Sequence, residues 1–275
     1  MSDERKKYLQ KIKTEKILVV VSQVLILLVF LVIWEVLANK GIIDSFITSS
    51  PSRIINTFSN FASNDLIMHT KVTCYETLIG FLLGTTIGII IAIILWWSKF
   101  ISKVLEPYLV VLNSLPKVAL GPIIIIWVGA GTKAIIVMAI AISLIVTILD
   151  ILNGFLNTDK DIIKMAKTFN ASKLQILTKI VIPANITNFI NSLKINIGLS
   201  LVGVISGEFL ISKAGLGYLI TYGGQVFKLD LVMSSVIILG IVAGIMYLAV
   251  MLIEKLILLR RKVSWKIWKF LFVLW

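Results

Sequence analysis

Long uncharged apolar blocks alternate with short polar, mostly basic connections along the whole chain. The first block lies between Lys16 and Glu35, behind a leader carrying Arg5, Lys6, Lys7, Lys11, Lys13 and Lys16. A cleaved signal peptide competes with a membrane span here, and Val36-Leu37-Ala38 offers a cleavage site. The apolar run exceeds the roughly 7–15 residues of a signal-peptide core, so the pattern predicts a cytoplasmic basic leader over 1–16 and a retained first span over 17–38. Residues 39–72 are more polar and are predicted to be extracytoplasmic. Within them Ser49-Ser50-Pro51-Ser52 reads as a helix start, with Ser as cap and Pro in the first turn. Ile54, Ile55, Phe58 and Phe61 recur at helical spacing. A short helix from Pro51 to Phe61 is expected, lying on the membrane surface or against the bundle.

The second span is predicted from Thr77 to Ser98, a stretch without charge. Gly80, Gly84, Gly88 and Ala92 repeat every four residues on one face, a spacing that lets helix backbones approach closely in lipid. The third block, Val104 to Val128, is interrupted by Pro107, Pro116 and Pro122. Such breaks survive in a membrane only against protein or a wet cavity. Asn113, Ser114, Pro116 and Lys117 are therefore candidate lining of a translocation pathway; a kinked scaffold helix is the competing reading. A fourth span runs from Ala134 to Leu149, closed by Lys133 and Asp150, and 153–183 forms a long polar connection. The fifth span, Phe189 to Ile211, contains Lys194 and Glu208. Gly215, Gly217, Gly223 and Gly224 mark a loop, and Leu231 to Ile253 is a clean sixth span with Gly240 and Gly244 one turn apart. Arg260, Arg261 and Lys262, followed by Trp265, Trp268 and Trp275, suit a cytoplasmic or interfacial tail over 259–275.

Composition moves this pattern firmly into lipid. Hydrophobic residues make up 58% of the 275 positions and charged ones only 15%. Blocks of about 20 apolar residues cross a bilayer core. The expected fold class is all-α, a polytopic membrane protein of about six transmembrane helices, with its core over 73–258. The formal net charge of +13 raises nucleic-acid binding. The basic residues sit between and beside the apolar blocks, where they orient helices, so nucleic acid is not expected as a partner and the lipid bilayer is. Nineteen of the 27 Lys and Arg fall in the leader, 98–103, 153–183 and the residues after Glu254, against six in 39–72, 129–133 and 212–230. That bias puts both termini and the 153–183 loop in the cytoplasm.

Chemistry-bearing residues are sparse. One cysteine, Cys74, and one histidine, His69, exclude an internal disulfide and a Cys/His metal cluster, and no metal site is expected. No catalytic constellation is visible. Lys117 and Glu208 lie at membrane depth, where ionisable groups mark pathways. The alternatives are that Lys117 snorkels to an interface and that Glu208 pairs with another chain's cation. Lys194 is a poor partner for Glu208, since 14 residues of helix span about 21 Å.

The 153–183 connection carries the most specific signal. Lys164-Met165-Ala166-Lys167-Thr168-Phe169-Asn170-Ala171-Ser172 is followed by Ile180-Val181-Ile182-Pro183. Two short helices with a break are expected. Asn170 tolerates a left-handed turn, Ala171 and Ser172 open the second helix with Ser172 as cap, and Pro183 starts the next span. This stretch resembles the EAA loop of binding-protein-dependent ABC importer permeases, with Ala166, Asn170 at the Gly position, Ile180, Ile182 at the Leu position and Pro183 at the anchors. Lys164 and Met165 replace the family's Glu and first Ala. Ser50-Pro51-Ser52, Leu115 to Gly131 and Gly215-Leu216-Gly217-Tyr218-Leu219-Ile220 resemble the nitrate/sulfonate/taurine-type branch.

The resemblance implies a type I ABC importer permease fold and a coupling helix that seats on an ATPase subunit, with Ala166 at the close contact. It implies an ABC ATPase subunit, an extracytoplasmic substrate-binding protein and a second copy of this chain as partners, in the cytoplasmic (inner) membrane of a bacterial-type cell. No cofactor is expected in this chain. Gly129-Ala130-Gly131-Thr132-Lys133 lacks the ending of a phosphate loop, so ATP and Mg belong to the partner ATPase and the chain is not itself an enzyme. The cargo is a small solute, with an anion suggested by the branch. An ion-coupled secondary transporter is the rival class, but its usual internal repeats are not apparent; a membrane-anchored enzyme is the second.

Overall fold

A computed structural model describes residues 3–59 and 65–273; the side chains of 3, 5–7, 9, 58, 59 and 258–273 are outside the description. Helices dominate, and no strand occurs among the described residues. The chain divides into two compact units, one comprising 1–64 and 222–234, the other 65–221 and 235–275.

In the first unit the leader and first block form one helix, α1 (Asp3–Asn39), whose segment Gln10–Asn39 is long and apolar enough to cross a membrane. Two short helices follow, α2 (Ser45–Thr48) and α3 (Pro51–Ser59), the latter starting at Pro51 as its sequence requires. The expected end at Phe61 lies outside the described residues, as do the side chains of the basic and tryptophan-bearing tail. Glu35 of α1 accepts from the Ser52 N–H at 3.0 Å and the Ser52 hydroxyl at 2.8 Å, tying α3 to α1. The Arg53 guanidinium grips Asp230 through Nε at 3.2 Å and Nη2 at 2.8 Å, and the Ser49 hydroxyl donates to the same carboxylate at 2.7 Å.

The second unit is built on α4 (Leu66–Trp97), α7 (Thr132–Leu156) and α11 (Ile186–Ile211), which pack against one another. Glycines set their spacing. A Cβ on Gly80 would stand 2.6 Å from the Ala139 Cβ, and one on Gly88 2.7 Å from the Thr147 side chain; Gly84 lies equally close to Ser143. On α11, Gly203 meets the α7 backbone at Ala139 and Gly207 meets Ile135. Lipid offers helices no hydrophobic gain on association, so close approach of small residues replaces it. The glycine stripe read from the sequence is this contact.

Three boundaries differ from expectation. The helix of the second span starts at Leu66, not Thr77; its first turns carry His69, Thr73 and Glu76, which are buried inside the unit. The fourth span continues past Asp150 to Leu156, because Ile151, Leu152 and Phe155 turn inward onto a cluster with the following loop. The glycine-marked loop at 215–224 is the helix α12 (Leu216–Gln225), and the last block is α13 (Leu229–Val273). The broken third block is α5 (Lys99–Ser114), a 3-10 turn (Lys117–Leu120) and α6 (Gly121–Val128), bent by 91°. Leu115 is extended, as the residue before Pro116 must be. Five described helices could each cross a membrane, and six spans result if the bent pair counts as one.

Candidate functional site

The 153–183 connection folds into α8 (Lys160–Thr168), α9 (Lys173–Ile176), a π turn (Leu177–Val181) and α10 (Ile182–Ala184). Asp159 caps α8 through its carboxylate on the Asp161 N–H at 2.8 Å. At the other end Asn170 adopts φ 54°, the Asn170 N–H donates to the Lys167 carbonyl at 2.9 Å and the Ala171 N–H to the Ala166 carbonyl at 3.0 Å. This pair of bonds around one left-handed residue closes a helix C-terminus and usually employs glycine. Asparagine is the side chain best able to replace it. The chain then restarts at a capping box. Ser172 Oγ accepts from the Gln175 N–H at 3.3 Å, while Gln175 Oε1 accepts from the Ser172 N–H at 2.8 Å. Pro183 sits in the short α10, and a break at Asn185 precedes α11, so Pro183 falls one turn before the span.

The loop has an inner and an outer face. Ala166 is 8% exposed and packs, with Ile176, Leu177 and Val181, against Ala92 and Leu95 of α4 and Ile148, Ile151, Leu152 and Phe155 of α7. The close approach that its small side chain permits is therefore to the chain's own helices. Ile180 joins the same cluster from its rim. Lys173 donates its ammonium to the Trp97 carbonyl and lies 5.3 Å from the Trp97 ring centroid, a cation at the carbonyl end of α4. Asn185 donates to Thr158 Oγ1 at 2.8 Å. The outer face bares Ile162, Met165 and Phe169 at helical spacing, and Phe169 is 79% exposed. Lys164 pairs with Asp161, at 3.0 Å, and both are solvated; such a pair adds little stability.

At the broken block, the Lys117 ammonium donates to the Asn113 carbonyl at 3.0 Å and to Asn113 Oδ1 at 3.3 Å. Pro116 has no N–H and the bend removes further donors, so the last carbonyls of α5 lack helical partners, and Lys117 supplies one. Ser114 Oγ bonds its own helix at the Val110 carbonyl. Asn113, Ser114, Pro116 and Lys117 thus stand together at one corner. Glu208 has separate partners: it is 1% exposed and accepts from the Thr73 hydroxyl at 2.7 Å and the Gly217 N–H at 2.6 Å. Lys194 pairs with Glu254 of α13 at 2.6 Å, a partner from a distant span that spacing alone did not reveal. Sequence reasoning also missed Phe169 and the set His69, Thr73 and Glu76. Their spacing on one face of a helix was the available signal.

The family described as binding-protein-dependent transport system inner membrane component matches residues 84–263. A probable ABC transporter permease protein of Haemophilus influenzae is 33% identical over 226 residues, covering 82% of this chain and 92% of that protein. The putative aliphatic sulfonates transport permease protein SsuC of Bacillus subtilis is 26% identical over 231 residues, covering 84% of each. Among solved structures, a chain of the MetNI methionine ABC transporter in an inward-facing conformation superposes with a TM-score of 0.61 at 17% identity, covering 68% of this chain and 93% of that one. That likeness concerns the fold.

Proposed function

From the premise that this chain belongs to the family of binding-protein-dependent transport system inner membrane components, we propose how it works within an ATP-driven importer. It is a multi-pass permease subunit of the inner membrane. ATP and Mg are bound by a partner ATPase, an extracytoplasmic binding protein delivers the solute, and two copies of this chain enclose the route. The 160–182 loop faces the cytoplasm and docks on the ATPase. One observation carries this reading: α8 is locked to the bundle by its inner face while Ile162, Met165 and Phe169 stand bare on the outer one. Exposed apolar side chains grouped on a well-capped helix are the anchors of an interface.

Cysteines at Ser172 or Phe169 should cross-link to the ATPase in membranes, and ATP should change the yield. Absence of any cross-link in a transport-competent assembly would refute the docking. Reporter fusions at residues 155 and 220 should report inside and outside respectively; an external signal at 155 would overturn the orientation. The cargo is proposed to be a small anion, as for the sulfonate permease relatives, with Asn113, Ser114, Pro116 and Lys117 at the wall of the route. Lys117→Met at matched membrane levels, with ATP hydrolysis intact, should lower uptake and weaken its salt dependence. Unchanged uptake would remove Lys117 from the route and leave it as the cap of α5.

A further inference from the structure

The first unit contains a hollow with almost no polar lining. Phe30, Ile33, Trp34 and Leu37 recur at i, i+3, i+4 and i+7 along α1 and form one wall of it. Gly41, at φ 68°, then turns the chain back, and the Ile42 and Ile43 N–H groups donate to the Leu37 carbonyl at 3.1 and 3.3 Å. After that reversal Ile43 and, on α2, Ile47 line the same space, together with Met233 near the start of α13. The hollow has a volume of about 480 Å³. Thr48 brings the one hydroxyl among the described lining residues, and it is already spent, since Thr48 Oγ1 donates to the Asp44 carbonyl at 3.0 Å. Polar clamps hold the lining elements from behind. Glu35 binds Ser52, and Ser49 and Arg53 bind Asp230, three positions before Met233. These bonds oppose collapse of the walls onto one another.

The lining and its depth define the guest. Apart from the Trp34 indole N–H, the lining side chains have no unspent donor, so the space suits neither water nor a polar solute. Left empty, it would forfeit the dispersion contacts of every wall. Phe30 to Leu37 fall near the end of the membrane-crossing segment Gln10–Asn39, whose most apolar stretch is not covered by the rest of the chain. Phe30 is 59% and Ile47 62% exposed, so the hollow opens sideways, toward lipid. A flexible acyl chain can follow such a space, whereas a helix, about 10–12 Å across with its side chains, can only lie over it. A cation stands at the mouth. Lys40, three residues past Leu37 and just beyond α1, is exposed and is in no ion pair among the described residues. One turn of helix above the lining, its ammonium reaches the level of lipid phosphates on its long stem, and Trp34 belongs to the residue type that favours that boundary.

We propose that this hollow is a phospholipid site, with one acyl chain held between α1, α2 and Met233 and the phosphate paired with Lys40. The lipid supplies the apolar packing that the protein itself leaves unfilled, and so fastens the end of the first span to α2 and to the start of α13. Its leaflet, the outer one, rests on the orientation proposed above; the site itself depends neither on that orientation nor on which solute is carried.

The test uses the full chain assembled with its partner ATPase in membranes of phosphatidylethanolamine and phosphatidylglycerol. The complex is solubilised, stripped of loosely held lipid by repeated detergent exchange and weighed by native mass spectrometry. A phospholipid should survive on each copy of the chain. Ile33→Trp, which fills the hollow, should abolish that adduct, whereas Leu25→Trp, on the same helix but outside the lining, should keep it. Lys40→Met should weaken phospholipid retention by about fivefold, the worth of one cation beside a headgroup, and should leave unchanged the retention of added diacylglycerol, which has the chains without the phosphate. A photoreactive side chain placed at Ile47 should label lipid. The proposal is overturned if no phospholipid is retained, if Ile33→Trp retains as much as wild type, or if the label at Ile47 passes only to a second copy of the chain. Should Ile33→Trp fail to assemble, the Lys40→Met comparison and the Ile47 label decide: equal retention of phospholipid by Lys40→Met and wild type, or no labelled lipid, is equally fatal. Reporter fusions read the orientation separately, so its failure would move the lipid to the other leaflet without touching these outcomes.

Discussion

Gly203→Ala is the most demanding test of how the bundle is spaced. A Cβ at Gly203 would stand 2.5 Å from the Ala139 Cα, 3.0 Å from its nitrogen and 3.2 Å from the Met138 carbonyl oxygen. All three are backbone atoms, so no rotamer change relieves the contact. Carbon atoms rest at about 3.5–4.0 Å, which forces α7 and α11 apart by about 1 Å. Overpacking of this kind costs about 1–3 kcal/mol, a sizeable part of the roughly 5–15 kcal/mol that holds a fold. Helix propensity gives back up to about 1 kcal/mol on exchanging Gly for Ala. Gly198→Ala isolates that gain, since its Cβ would meet nothing within 4 Å. Gly80→Ala meets the Ala139 methyl at 2.6 Å instead, a side chain, so Ala139→Gly should rescue it. Thermal unfolding of the purified variants in one detergent measures the series. Gly203→Ala should melt below wild type, Gly198→Ala at or above it, and Gly80→Ala should recover with Ala139→Gly. If Gly203→Ala melts with Gly198→Ala, or the double variant shows no recovery, the contact is not what spaces these helices.

Phe169→Ala should weaken ATPase binding by roughly tenfold to a hundredfold, taking about 1.5–3 kcal/mol for an aromatic side chain buried on docking; titration of the ATPase onto the permease in nanodiscs reads this directly. Asn170→Gly should leave the loop unchanged, whereas Asn170→Val should cost about 1–2 kcal/mol at the left-handed turn and speed proteolysis of the loop. Lys194→Met should destabilise the protein by roughly 2 kcal/mol, below the figure for a fully buried pair because both partners retain some exposure, and Glu254→Met should restore most of it in the same melting assay.

Local and periodic features were readable from the chain. The glycine stripe of α4, the helix start at Pro51, the left-handed Asn170 and the Ser172 cap depend on residues within one or two turns, and each stands where its chemistry requires. What escaped depends on partners far along the sequence. His69 and Thr73 look like flanking polar residues until the start of α12 returns to meet them, and so the second span seemed to begin at Thr77. Lys194 needed Glu254, sixty positions on, to be explained. Ala166 belongs to a motif that names the loop, yet the motif does not say which face of α8 is turned inward. That depends on Ala92, Ile148 and Phe155.

The 160–184 connection and the start of α12 meet opposite ends of one helix. α11 begins beside Asn185, which is tied to Thr158, and carries Glu208 near its other end. From Ile186 to Glu208 is about 33 Å of helix. A tilt of roughly 5° about the Asn185 end would carry Glu208 by about 3 Å along that lever. The Gly217 N–H bond to Glu208 is 2.6 Å long and would not survive such a displacement, since hydrogen bonds weaken steeply beyond about 3.2 Å. Either α12 moves with α11 or that bond parts, so a tilt of α11 is felt at the first turn of α12.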